Sequence, residues 1–518
     1  MTAAPYERAA RLSWPRVVFV GLVAAFAVLT IPTLVDKHSW TGVAISVAVT
    51  AILAYVYLTP KRIAARFLVP GTILLLAFQV YPVAYTITTA FTDYGDGHRL
   101  SQSQAVAQIE ADSVLEQPGA QRYELSVATK TADTSGAFVF FLTDPNGKVE
   151  RGDASGLTPV PDSQVTKDQF TGKVTTAAGW HILTGIQVNG LGQRLSTFAV
   201  PTSGGFIKSV GLSEAYIGQF TMKYDAAAHT MTDTRTNTVY KASGGEFKAA
   251  DGSGKTLPIG WKVGVGFKNF TSVLTDAAIR GPFLRVLIWT IAFAVLSVLT
   301  TFALGLLLAV VMDHPRMRGR KLYSSLLLLP YAMPAFITTL VWSSMYNKDF
   351  GLLNKLFGTH IDWLGSPWAA RGSVLLTNLW LGFPYMFLVC AGLLQAVPQE
   401  LKEVARVDGA SPFRVFRSVT MPTVLVGAMP LLIASFGYNF NNFNVIRLLT
   451  DGAPYPSGSS TAGDTDILIS YTYRLAFGSQ GAQYGLASAI SFLLFVLVGL
   501  ISYAGFRQTR QLEEVYAR

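Results

Sequence analysis

The chain has 518 residues, 50% of them hydrophobic and 14% charged, with a formal net charge of +10 and a mean hydropathy of +0.37. A soluble domain carries about 25% charged residues, so the composition excludes an ordinary soluble globule and points to a membrane protein. The single cysteine, Cys390, lies in an apolar run and excludes an intrachain disulfide.

Eight apolar runs reach the roughly 20 residues needed to cross a hydrocarbon core: 17–35, 40–58, 67–91, 282–312, 323–345, 373–397, 422–447 and 483–506. The fold class is therefore a polytopic α-helical membrane protein with eight transmembrane helices. Arg8, Arg11 and Arg16 precede the first run. That run is longer than the h-region of a cleaved signal peptide, about 7–15 residues, and reads as an uncleaved anchor. Residues 1–92 hold three spans, residues 282–518 hold five, and residues 93–281 lie between them as a soluble insertion.

Charge orients the chain. The insertion carries 17 Lys and Arg against 18 Asp and Glu, and the rest of the chain carries 24 against 13. With the N-terminus in the cytoplasm, the cytoplasmic segments collect Arg8, Arg11 and Arg16, then Lys61, Arg62 and Arg66, then Arg316, Arg318, Arg320 and Lys321. Lys402, Arg406, Arg414 and Arg417 follow, with Arg507, Arg510 and Arg518 at the end. The short outer loops hold only Lys37, Lys348, Lys355, Arg371, Arg447 and Arg474, with Arg285 near a span end. The positive-inside rule thus places the chain in the cytoplasmic (inner) membrane with both termini cytoplasmic and residues 93–281 extracytoplasmic.

The insertion reads as mostly β. Phe138–Leu142 runs into Asp144-Pro145-Asn146-Gly147, a hairpin turn signal. Tyr123–Ala128, Gly179–Val188 and Thr238–Lys241 read as further strands, and residues 100–117 as helix. Gly254-Lys255-Thr256 resembles the end of a phosphate-binding loop, but Ala249 stands where its leading glycine belongs. Asn269-Phe270-Thr271 is a three-residue sequon match. His98, His181 and His229 have no metal-ligand spacing, and no catalytic residue, metal or cofactor is expected.

The later spans are less uniform. Pro330 and Pro334 in 323–345, and Pro384 beside Trp380 and Tyr385 in 373–397, are kink positions. In 422–447, Ser435, Tyr438, Asn439 and Asn442 fall at i, i+3, i+4 and i+7, on one helical face, with Phe436, Phe440 and Phe443 as a neighbouring stripe. Amides, a hydroxyl and rings on one face suit a neutral sugar; the same groups also serve as interhelical hydrogen-bond glue. The spacing leaves both open and leans to a lined cavity.

Between those two spans lies a basic stretch, 398–422. Pro398 opens a short helix, Asp408-Gly409 ends it, and Ser411-Pro412 starts another. Local structure alone fits an ordinary interhelical loop. No Asp, Glu or His sits within a span. A self-contained secondary transporter would place such groups there for ion coupling. The cytoplasmic stretch is thus the visible place for energy to enter.

Glu403-Val404-Ala405, Asp408-Gly409-Ala410 and Pro422 resemble the loop shared by the permease subunits of ABC importers, with Val404 in place of an alanine and Met421 in place of a leucine. A finer resemblance is to the larger permease subunit of the maltose/maltodextrin importers. It rests on the layout of spans and insertion and on the runs Gly266–Thr271, Leu329–Phe336, Trp380–Phe387 and Ser435–Phe443. The resemblance implies a transport subunit rather than an enzyme. Its implied partners are a second permease subunit, an ATPase dimer, an extracytoplasmic sugar-binding protein, the lipid bilayer and maltose or maltodextrin, with no nucleic acid. It implies ATPase coupling at Glu403, Ala405, Asp408 and Gly409, and substrate contacts at Tyr331, Leu381, Gly382, Ser435, Tyr438, Asn439 and Asn442. Ala335 stands where that family has a serine, and Tyr438 where it has a phenylalanine. The alternatives are a permease for another sugar such as trehalose, or a secondary transporter of small polar solutes.

Overall fold

The computed structural model describes residues 14–36, 39–59, 62–116, 119–131, 134, 136–203, 205–314, 317–456, 461–478 and 481–516. Of the basic residues that orient the chain, Arg8, Arg11, Lys37, Lys61, Arg316 and Arg518 lie outside these. The chain divides into two compact units, Met1–Thr88 and Thr89–Arg518.

Among the described residues seven helices are long and apolar enough to cross a membrane: Trp14–Asp36, Trp40–Leu58, Ile63–Ala90, Ala277–Asp313, Pro367–Ala396, Pro412–Phe440 and Tyr484–Arg507. The pair Arg320–Ala332 and Ala335–Met345, bent by 90°, makes an eighth if counted as one span. The protein is thus a polytopic α-helical membrane protein with an inserted β-rich domain. In the first unit, Arg66 is buried and closes the end of the second helix: its guanidinium donates to Val56 O (3.3 Å) and Thr59 O (2.6 Å).

Prolines shape the spans in three ways. Met333, just before Pro334, is extended (φ −85°, ψ 138°), as the residue ahead of a proline prefers. The span therefore breaks there rather than merely kinking. Leu76–Val80 and Phe416–Thr420 are π turns, each ending two residues before a proline, Pro82 and Pro422. The wider turn re-routes the hydrogen bonds that the proline interrupts. By contrast, Pro367–Ala396 continues as α-helix through Pro384, so this proline does not break its span. The run 422–447 also differs from expectation. Its helix ends at Phe440, and Phe443–Leu449 is a separate helix.

The inserted domain has two main sheets. The larger is antiparallel, in the spatial order Gly156–Pro159, Val149–Asp153, Phe138–Thr143, Arg122–Thr129, Glu214–Phe220, Gly205–Val210, Ala199–Thr202. Its core includes Leu125, Phe140, Leu142 and Ile207, each at most 2% exposed. The expected hairpin turn forms: Asp144 Oδ1 accepts from Asn146 N (2.9 Å) and Lys148 N (2.8 Å), and Gly147 takes φ +83°. The second sheet is a four-stranded meander, Met222–Asp225 to Glu246–Ala249. It packs Met231 and Phe247 against Val106 and Ile109 of the helix Gln102–Asp112. Residues 179–188 are not one strand. Only His181–Ile182 pairs, because Thr184 and Gln187 form a capping box that starts a helix at Gly185.

The chain enters and leaves this domain side by side. Asp93 N donates to Val263 O (3.2 Å), Gly260 N to Gly97 O (2.7 Å) and Lys262 N to Leu100 O (2.9 Å). Asn269, the sequon asparagine, spends its amide on Ala90 O (2.9 Å) and Thr92 O (2.8 Å), tying the start of the core to this stem.

In the core, Ala277–Asp313 lies against Pro367–Ala396. Two glycines set the approach: a Cβ on Gly305 would fall 2.7 Å from Met386 backbone, and one on Gly382 would fall 2.9 Å from Thr301 Cγ2. The loop 461–466 is strapped over the ends of these helices. Arg285 Nη2 donates to Ala462 O (3.0 Å), Trp289 Nε1 to Thr465 O (3.3 Å) and Arg371 Nε to Asp464 O (2.9 Å). The Arg371 guanidinium lies 5.0 Å from each of the Trp289 and Trp368 ring centres.

Candidate functional site

A cavity of about 610 Å³ opens among the broken span, Pro367–Ala396 and the end of Pro412–Phe440. The three stretches are far apart in sequence, yet they bring together Tyr331, Leu381, Gly382, Ser435, Tyr438, Asn439 and Asn442, all of which line it. Ala335 lines it as well. The 90° break supplies one wall, since Tyr331, Met333, Ala335 and Phe336 fall on both sides of the bend.

The lining separates into an open aromatic part and a fixed amide part. Tyr438 is 70% exposed and Tyr331 is 61% exposed. Asn439 and Asn442 are each 7% exposed. Asn378 joins them: its Nδ2 donates to Asn439 Oδ1 (2.8 Å), and its Oδ1 accepts from Asn442 Nδ2 (3.0 Å). Asn439 Nδ2 donates back to Ser435 O (2.8 Å). The amide link and the cavity lining therefore coexist in the same residues. The asparagines bond across two helices, and they do so in the cavity wall, where each amide keeps capacity for a further partner.

Two sequence expectations change in detail. Asn442 does not lie one turn further along the same helix. It sits in the turn after Phe440 and precedes the next helix, and it still reaches the cavity. Phe443 leaves the stripe of Phe436 and Phe440 and turns to Tyr473, 5.0 Å between ring centres. Asn378 and Thr301 are lining residues that sequence reasoning missed. Asn378 lies three and four residues before Leu381 and Gly382, so the same helical spacing used for 435–442 would have found it. Thr301 had no such signal, being one of many hydroxyls in a long apolar helix.

The second candidate element is the 398–422 stretch. Gln399–Val407 is a helix ended by Gly409 at φ +78°, with Gly409 N donating to Arg406 O and Ala410 N to Ala405 O, each at 3.0 Å. That is a left-handed glycine cap. Ser411 then accepts from Arg414 N (3.4 Å), and Pro412 starts the next helix. This second helix is not a separate short piece; it runs through the π turn into the membrane span. Glu403, Asp408 and Gly409 are exposed and Ala405 is half-buried. Leu401, Val404, Val407 and Phe413 are exposed too, an apolar patch on an otherwise basic loop.

Outside the membrane-spanning segments, a buried carboxyl lies near the ends of the core helices. Burial pushes Asp466 above the ordinary carboxylate range, while the Arg474 guanidinium draws it back. Asp466 also accepts from Gly463 N and Ser470 Oγ, both at 2.8 Å.

Comparison with known proteins agrees with this architecture. Residues 301–510 match the model of the binding-protein-dependent transport system inner membrane component. Residues 73–155 match the N-terminal region of the transmembrane subunit in ABC transporters that depend on a periplasmic binding protein. The chain belongs to the family of binding-protein-dependent ABC transporter permeases: it is a multi-pass inner-membrane transport subunit, not an enzyme. It is 35% identical to the maltose/maltodextrin transport system permease protein MalF of Vibrio vulnificus strain YJ016, covering 98% of this chain and 96% of the relative. The protein of the same name from Salmonella typhimurium strain LT2 is 34% identical, over 96% of this chain and 97% of the relative. That from Yersinia pestis is 31% identical, over 95% and 93%.

Proposed function

We propose that this chain is the pore-forming subunit of an ATP-driven importer of maltose/maltodextrin-type oligosaccharides. The observation that carries the reading is the convergence of Tyr331, Leu381, Gly382, Ser435, Tyr438, Asn439 and Asn442 on one cavity of about 610 Å³. That volume falls within the roughly 300–1,000 Å³ of small-molecule sites. Exposed tyrosine rings cover the C–H faces of a sugar, and the amides exchange hydrogen bonds with its hydroxyls in both directions. The full-length relatives, named as maltose/maltodextrin permeases, support the same substrate.

The partners in this reading are a second permease subunit, an ATPase dimer and an extracytoplasmic sugar-binding protein. Both termini face the cytoplasm and residues 93–281 face outward, where they help hold the binding protein; the charge bias of the loops supports this orientation. The 398–422 stretch docks on an ATPase subunit through Glu403, Ala405, Asp408 and Gly409, beside the exposed Leu401, Val404 and Val407. ATPase closure then moves the attached span Pro412–Phe440, whose far end carries Ser435, Tyr438 and Asn439. Sugar and partners must bind the inward- and outward-facing states with different affinity, since equal affinity would shift nothing.

The test is uptake by the complete complex in proteoliposomes with its binding protein and a panel of radiolabelled sugars. ATP-dependent accumulation of maltose and short maltodextrins is expected. Accumulation of trehalose in their place would reassign the substrate. Uptake that ignores ATP and follows an ion gradient would contradict the reading.

A further inference from the structure

We propose a second sugar site, on the outer side of the core: a pocket of about 250 Å³ between the helices Phe443–Leu449 and Leu468–Phe477 that takes one hexose ring of an incoming chain. The proposal rests on the sugar-import reading and deepens it. Three observations carry it.

The first is a run of rings. Phe443 and Tyr473 lie 5.0 Å apart between centres, and Tyr473 and Phe477 lie 5.1 Å apart. Tyr473 is 42% exposed, with the Arg447 guanidinium 5.8 Å from its ring centre, and Phe477 is 64% exposed, so part of the ring surface is open to a guest. The electron-rich face of such a ring attracts the slightly positive C–H face of a pyranose.

The second is balanced charge. Arg447 pairs with Asp451, and Arg474 donates to Asp451 O (2.8 Å) and to the buried Asp466 (3.1 Å). Arg447, Arg474 and the Asp451 carboxylate line the pocket, and Asp466, fully buried against Arg474, offsets the second guanidinium, so donors and acceptors are offered with little net charge. That suits a neutral polyol better than an acidic peptide or a phosphate. Arg474 Nε is buried and finds no acceptor among the described residues, leaving a donor whose desolvation is uncompensated.

The third is adjacency along the chain. Asn442 lines the central cavity and Phe443, the next residue, lines this pocket. A chain whose leading ring sits in the central cavity has a neighbouring place for a trailing ring. The smaller volume suits one ring, where the central cavity holds more.

The experiment measures ATP-driven uptake of maltose and of maltotetraose by the complete complex carrying Tyr473→Ala, Tyr473→Phe or the wild-type residue. Removing the ring is expected to raise the KM for maltotetraose roughly fivefold, with a smaller rise for maltose. Tyr473→Phe keeps the stacking face and is expected to restore most of the loss. An equal rise for both sugars, together with weaker binding-protein-stimulated ATP hydrolysis, would make this face a docking surface for the binding protein and overturn the proposal. No change in either KM would overturn it as well. Absence of sugar uptake by the wild-type complex would instead refute the import reading itself. Co-purification of the partners with each variant controls for folding.

Discussion

Asn439→Leu is expected to lower sugar uptake by at least about a hundredfold, with the protein still in the membrane and basal ATP hydrolysis by its partners retained. Leucine matches the asparagine in size but removes the bond from Asn378 and the bond to Ser435 O. Each hydrogen bond is worth about 1 kcal/mol net, and an orphaned buried amide costs about 1–3 kcal/mol more, so two to three decades are at stake. The Asn378 amide left behind no longer holds its angle, and Asn442, bonded to the same side chain, loosens with it. The checks are uptake in proteoliposomes and the amount of complex recovered. Normal uptake would leave Asn439 as helix glue alone. Loss of the complex altogether would show that the amide link is chiefly structural.

Gly409→Val is expected to uncouple, and Gly409→Asn to be tolerated. Gly409 has φ +78°, and nothing lies within 4 Å of a Cβ placed there. The obstacle to a side chain is therefore backbone conformation, not space. The left-handed region costs an L-residue roughly 1–2 kcal/mol and is hardest on β-branched side chains, while asparagine visits it routinely. With valine the bend opens, and Gln399–Val407 loses its set angle to the span that follows. Sugar-stimulated ATP hydrolysis should fall about tenfold or more for a lost coupling energy near 1.4 kcal/mol, with sugar binding in the central cavity unchanged. Equal loss in the valine and asparagine variants would point to a contact that needs the bare glycine surface, and normal coupling in both would remove this bend from the mechanism.

The parts of the fold legible in the sequence are those that bulk physics fixes. Long apolar runs show as spans because the hydrocarbon core tolerates little else. Gly409 and Ser411-Pro412 show as a bend because few residues suit those backbone angles. Asp144-Pro145-Asn146-Gly147 shows as a turn for the same reason. What the sequence hid depends on partners or on competing signals. The end of a helix at Phe440 falls inside a polar-aromatic run whose one glycine, Gly437, lies within the helix, and no glycine or proline follows closely to mark the end. Residues 179–188 have a strand-like composition, but the Thr184–Gln187 capping box wins locally. Pro334 breaks its span and Pro384 does not, although the two look alike in sequence. Pro384 sits buried in a helix packed along Ala277–Asp313, and the helix runs on through it. Asn378 was overlooked because it lies a turn before the aromatic run that drew attention, and only the fold places it between Asn439 and Asn442.

Sugar in transit occupies the cavity beside Tyr438 in this mechanism, and a single reactive position there tests it directly. The native Cys390 is fully buried, so Tyr438→Cys gives this chain one accessible thiol, followed in the assembled complex by the label on this subunit. A polar thiol reagent is expected to label it readily, and maltose at ten times its Kd to slow the labelling about tenfold, whereas a sugar that the complex does not transport leaves the rate unchanged. Labelling at the same rate with and without maltose, in a complex that still imports maltose, would contradict the assignment of the cavity as the sugar site.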